Sequence, residues 1–177
     1  MTTSLIRKIV DTALEAPIAP SFTRIGHDIR SRVEGWHDPA ADALADKTVV
    51  LTGGTSGIGR AAATELASLG ANVIITGRNL ERTQTAAVEI EAAADTATGG
   101  NVTAEAADMG ELDQVRSLAE RLANAHPTID VLIHNAGTLS AERRTTSAGY
   151  EATVASQVYG PFPVSYTHLT LPTTPYV

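Results

Sequence analysis

The sequence predicts an α/β fold: a doubly wound parallel sheet, incomplete at its far end and preceded by a helical extension. Three observations predict it. Short apolar, β-branched runs recur from Lys47 onward. Stretches of helical composition and period lie between them. The first run ends in a glycine-rich turn that opens the first of those helices. Buried strands separated by helices join by right-handed crossovers and form a sheet covered on both faces.

Residues 1–46 read as a helical extension. Leu5, Ile6, Ile9, Val10, Ala13 and Leu14 recur at helical spacing, and Pro17 and Pro20 end that helix. A second helix is expected over residues 21–33 with Ser21 as N-cap, followed by a connector at Gly35, Trp36 and Asp38-Pro39. The extension packs on the domain or on a partner subunit of a homo-oligomer. The alternative, an amphipathic anchor at a membrane surface, is disfavoured by its interspersed acids. Residues 47–163 form the expected main domain. Its strands are TVVL (48–51), VIIT (73–76), residues 102–107 and DVLIH (130–134). Its helices are residues 60–69, closed by Gly70, then 80–94 and 111–125, with a turn at 95–100.

Composition removes several classes of function. The chain has 177 residues, 43% hydrophobic, with a formal charge of -7. That suffices for one domain with a core, and an acidic chain without a run of Lys and Arg argues against nucleic acid as a partner. Cysteine is absent, which excludes a disulfide scaffold, a thiolate nucleophile and a zinc ribbon. The histidines at 27, 37, 126, 134 and 168 lack metal-ligand spacing, so no metal is expected. No apolar stretch reaches the length of a membrane span, and Arg7, Lys8, Asp11 and Glu15 interrupt what would be a signal-peptide core. The expected location is the cytoplasm.

The central motif is TGGTSGIGR, residues 52–60, set between a strand and a helix. Gly53 permits a sharp turn, Gly57 lets backbone approach a pyrophosphate, and Gly59 lets helix and strand pack closely. The helix N-terminus offers free N–H groups to the anion. An ordinary βα turn is the competing reading. The second strand ends in Gly77-Arg78-Asn79 without an acid. A carboxylate there would hold the free ribose 2′-hydroxyl of NAD, whereas an Arg accommodates the 2′-phosphate of NADP. NADP is therefore the expected cofactor and NAD the alternative, with Arg78 as a solvated surface charge the bland reading.

The TGxxxGxG spacing resembles the short-chain dehydrogenase/reductase family. Three further motifs fall in order: Thr76-Gly77-Arg78-Asn79, Ala107-Asp108-Met109 and His134-Asn135-Ala136-Gly137, each at a strand end. The resemblance covers Lys47 to about Phe162 and implies a Rossmann-type fold. It implies that Asp108, with Met109 beside it, sits against the adenine ring. It also implies that Asn135, Ala136 and Gly137 hold the central strand and line the cofactor cleft. The expected cofactor-binding residues are then Gly53, Thr55, Ser56, Gly57, Ile58, Gly59, Arg78, Asn79, Asp108, Met109, Asn135, Ala136 and Gly137. Many NADP-binding relatives carry a second basic residue in the glycine-rich loop, where this chain has Ser56. The N-terminal extension and the stretch ERRTTSAGYEATVASQVYGPF resemble a subgroup of dehydrogenase/reductases with loosely defined substrates.

The resemblance also implies a catalytic Tyr with a Lys four positions later and a Ser upstream, a phenol tuned down from near pKa 10 for acid/base work. No Lys follows Lys47, so Tyr150, Tyr159, Tyr166 and Tyr176 head no such pair, and no catalytic residue is assigned. Where the family places an Asn in the helix after the fourth strand, this chain has Gln157. Tyr150, Tyr159 and the Arg143-Arg144 pair read as a helix face and the polar turn before it. From about Val164 the string VSYTHLTLPT resembles a translated sequencing adapter, so residues 164–177 are expected to be a non-native tail. The expected function is an NADP(H)-dependent oxidoreductase moving a hydride to or from a small-molecule carbonyl or alcohol, present as a fragment lacking Tyr-x-x-x-Lys. A non-catalytic dinucleotide-binding or sensing module is the alternative, and a fragment that does not fold stably is the third reading.

Overall fold

A computed structural model describes residues 9, 10, 12, 13, 23–94 and 100–168. The chain divides into two compact units, Met1–Pro39 and Ala40–Val177. In the first, Ile9, Val10, Thr12 and Ala13 are helical, and the other residues of the expected first helix lie outside the described ones. Helix α1 spans Arg24–Glu34 with Thr23 as N-cap. It starts later than the expected residue 21, and Ser21 lies outside the described residues. Gly35 ends it at φ 67, a left-handed conformation that a residue without Cβ adopts freely.

The second unit carries a four-stranded parallel sheet: β1 (Thr48–Thr52), β2 (Asn72–Gly77), β3 (Asn101–Ala106) and β4 (Val131–His134). The strand order is β3-β2-β1-β4. The helices between the strands are α2 (Gly57–Ser68), α3 (Leu80–Ala93) and α4 (Leu112–Ala125). After β4 come a long loop, α5 (Ala152–Val154), a π-helical turn (Ala155–Tyr159) and α6 (Pro161–His168). No helix among the described residues is long and apolar enough to cross a membrane.

The two central strands, β1 and β2, are apolar on both faces because both faces are covered there. Successive side chains of a strand point to opposite sides. Val49, Leu51, Val73 and Ile75 accordingly pack with Ala63 and Ala67 of α2 and with Ala86, Ala87 and Ile90 of α3. Val50 and Ile74, one residue out of step, pack with Val115, Leu118 and Leu122 of α4 and Val164 of α6. The alanines on α2 and α3 let these helices lie close to the sheet.

The path of the chain positions the site. From β1 it moves outward through β2 to β3, then α4 carries it back past β1 to β4 on the other side. The loops after β1 and β4 therefore leave the same end of the sheet in opposite directions. A crevice opens at such a reversal, beyond the carboxyl ends of the strands.

Candidate functional site

A cavity of about 410 Å³ lies at that reversal, within the roughly 300–1,000 Å³ usual for small-molecule sites. Four strand ends contribute to its wall. Gly53, Thr55, Ser56, Ile58 and Gly59 come from the turn after β1, and Arg78 follows β2. Asp108 and Met109 follow β3, and Asn135, Ala136 and Gly137 follow β4. Eleven of the thirteen expected residues thus meet in one cleft. Gly57 and Asn79 do not line it. Gly57 sits at the mouth of α2 at φ 57, where an added Cβ would meet open space. Asn79 caps α3: its Oδ1 accepts the Arg82 N–H at 2.9 Å.

The glycines have separate reasons. Gly53 turns at φ 74, and a Cβ there would stand 2.8 Å from Cα of Ala136. A Cβ on Gly59 would run into the Asn135 amide nitrogen and the Gly53 carbonyl oxygen. Backbone N–H groups of Gly53 and Gly54 both donate to the Thr76 carbonyl, at 3.0 and 3.2 Å, tying the loop to β2. Helix α2 begins at Gly57, three residues before the expected start. Its N-cap, Ser56, makes no side-chain cap and its first turn holds no acid, so the first N–H groups of the helix are not engaged by either.

Asn135 fastens β4 to this loop. Its Nδ2 donates to the carbonyl oxygens of Thr52 (3.1 Å) and Gly53 (3.0 Å). Thr52 Oγ1 accepts the N–H groups of Asn135 (3.2 Å) and Ala136 (3.1 Å) and donates to the Ile133 carbonyl (3.4 Å). The floor of the cleft is therefore one hydrogen-bonded unit across two strands that are distant in sequence. Asp108 is folded into its own turn, where Oδ1 accepts the Gly110 N–H at 2.9 Å.

Thr76, Gly77 and Ala107, which belong to the strand-end motifs but had no cofactor role assigned, and Thr138 and Ser156, which the sequence did not single out, complete the wall. Thr138 adjoins the motif after β4, so strand ends taken as whole segments would have included all but Ser156. Ser156 comes from the π-helical turn and had no local signal. Thr76 is 1% exposed, and its Oγ1 has no hydrogen-bond partner among the described residues. A buried hydroxyl left unpaired costs about 1–3 kcal/mol, which a ligand atom in the cleft would relieve.

Gln157 donates Nε2–H to the Thr138 carbonyl at 2.8 Å, linking the helical segment to the loop after β4. Tyr150 and Tyr159 stack edge to face, with ring centroids 5.0 Å apart. Lys47 stands at the start of β1, the opposite end of the sheet from the cleft. There its Nζ donates to Asp130 Oδ1 at 2.9 Å. That hydrogen bond raises the Lys47 pKa above its ordinary value and lowers the Asp130 carboxyl below its own.

The family model for short chain dehydrogenases matches residues 47–172. The chain belongs to the short-chain dehydrogenase/reductase family. Within it, a protein of Streptomyces sp. (strain C5), named as a candidate daunorubicin C-13 ketoreductase, is 45% identical over 118 residues, covering 67% of this chain and 40% of that protein. Mouse retinol dehydrogenase 13 is 30% identical over 148 residues, covering 82% of this chain and 43% of its own. The chain thus spans well under half the length of these relatives. A metagenomic short-chain oxidoreductase solved in complex with NADP superimposes with a TM-score of 0.60 at 31% identity, covering 71% of this chain and 56% of that one. The Rossmann-like sheet is that of the family.

Proposed function

We propose that this chain is the cofactor-binding portion of an NADP(H)-dependent oxidoreductase whose substrate is a small carbonyl compound or alcohol. The observation that carries the cofactor choice is Arg78, which lines the cleft at the end of β2 where no carboxylate stands. The NADP complex of a structural relative supports it.

The residues present fit a dinucleotide. The loop is built around two glycines whose Cβ atoms would collide with Ala136, or with Asn135 and the Gly53 carbonyl, the α2 N-terminus has no side-chain cap from Ser56, and the buried Thr76 hydroxyl lacks a partner among the described residues. In this reading the N–H groups at Gly57, Ile58 and Gly59 hold the pyrophosphate, with Thr55 and Ser56 beside them. Asp108 and Met109 flank the adenine, and Arg78 binds the ribose phosphate. Asn79 serves Arg78 by capping the helix that follows it. Asn135, Ala136 and Gly137 keep the inner wall in place. The bound nicotinamide supplies or accepts the hydride. The chain's own residues position it, and none of them offers the Tyr-x-x-x-Lys proton relay.

The absence of any Lys after Lys47 favours binding without turnover for the chain as written. Loss of the general acid/base alone costs about two to four orders of magnitude in rate. The test is Arg78→Asp, read by titration with NADPH and NADH. The variant is expected to lose its preference for NADPH or reverse it. An unchanged preference would defeat the charge argument.

A further inference from the structure

A second cavity, of about 460 Å³, opens beside the first and shares Arg78, Asp108, Thr138 and Ser156 with it. Its far wall is the loop after β4, which brings in Arg144 and Thr146, and its base is Glu111 ahead of α4. We propose, building on the NADP reading above, that Arg144, which lines this cavity together with Arg78, is the second cation for the ribose phosphate.

Three observations carry the assignment. Among the described residues, neither Arg78 nor Arg144 has an ion-pair partner, although two carboxylates line the same cavity. Those carboxylates are engaged elsewhere. Asp108 Oδ1 accepts the Gly110 N–H, and Glu111 accepts both the N–H and the hydroxyl of Ser147. Both acids keep their charge, but neither is paired with Arg78 or Arg144, so the two guanidinium groups retain their donors for an anion.

The loop that carries Arg144 is also anchored. The Arg144 carbonyl accepts the Ala152 N–H at 2.9 Å, Thr146 N–H donates to the Tyr150 carbonyl at 2.8 Å, and Thr145 bridges to Glu151. Ser147 fastens the same loop to Glu111. The guanidinium is thus presented from a fixed backbone, which reduces the ordering cost of binding. Finally, Thr146 Oγ1 is buried in the cavity wall without a partner, a second spare hydroxyl in the combined cleft. The glycine-rich loop supplies no cation of its own, since Ser56 stands there.

The experiment titrates the full chain and its variants Arg144→Ala, Arg78→Ala and Arg82→Ala with NADP, NAD and adenosine 2′,5′-bisphosphate. Arg144→Ala is expected to weaken NADP and the bisphosphate by about tenfold or more while leaving NAD unchanged. Arg82→Ala, whose side chain lies outside both cavity walls, is expected to change neither. Arg144 is exposed, so its truncation leaves the core intact. The proposal is overturned if Arg144→Ala leaves NADP binding unchanged, weakens NADP and NAD alike, or is outdone by Arg82→Ala. In those cases a continued NADP loss in Arg78→Ala would keep the cofactor assignment standing. Unchanged NADP binding in both Arg78→Ala and Arg144→Ala would remove both.

Discussion

Single atoms decide the shape of the cleft. Gly59 lies inside a helix, where glycine is ordinarily a poor choice by about 1 kcal/mol relative to alanine. It is required because a Cβ would strike both the Asn135 amide and the Gly53 carbonyl. Gly59→Ala must therefore push β4 and α2 apart or break the Asn135 hydrogen bonds. The expected cost is about 1–3 kcal/mol of stability, with loss of dinucleotide binding. Thermal melting and a cofactor titration on the same sample measure both, and unchanged melting and affinity would contradict the packing role. At this scale much was legible, because a glycine spacing after a strand reports a backbone constraint directly. The Thr52–Asn135 hydrogen bonds were not. They join residues more than eighty positions apart and exist only because β4 pairs with β1 rather than with β3. Arg144 was hidden for a related reason: its loop has no periodicity, and only the fold carries it next to Arg78.

Elements were legible where a period was strong. The three helices between strands follow from their apolar spacing, and each differs from expectation mainly at its ends. Helix α2 starts early because Gly59, read as a loop residue, is packed inside the helix against the Asn135 amide and the Gly53 carbonyl, whereas Gly57 at its mouth keeps a left-handed φ of 57 with open space beside it. The π-helical turn at Ala155–Tyr159 has no sequence signature. It places Ser156 at the cleft and lets Gln157 reach the Thr138 carbonyl. Helix α6 docks on the other side of this turn. Val164 is buried against α4, and Ser165 Oγ shares a 2.7 Å hydrogen bond with Nε2 of His134 at the end of β4. Partial burial there lowers the His134 pKa from its ordinary 6.5. As pH falls, the unfolded chain takes up this proton before the folded one. The contribution to stability is therefore complete above about 6.5 and lost as pH drops through the lower folded value. Urea midpoints measured from about pH 7.5 down to 5 should fall more steeply for the wild type than for His134→Asn. Identical slopes would show that this docking does not involve the imidazole's charge.

At the scale of the whole molecule, the order β3-β2-β1-β4 determines everything else. It was legible as a class, since strand–helix alternation leads to a parallel sheet. Alternation alone does not say on which side of β1 the fourth strand lies; the reversal after β3 was expected from the doubly wound, Rossmann-type fold that the family resemblance implied, and the strand order bears it out. That reversal brings the four short motifs to one end of the sheet and leaves Lys47 at the other. The central claim is that this end binds a phosphorylated dinucleotide before any catalytic group is considered. Calorimetric titration of the 177-residue chain with NADPH and, separately, NADH tests it most directly. Saturable one-to-one binding of NADPH, tighter than that of NADH, is the expected result. Absence of binding to either, by a chain shown to be folded, or tighter binding of NADH, would contradict it.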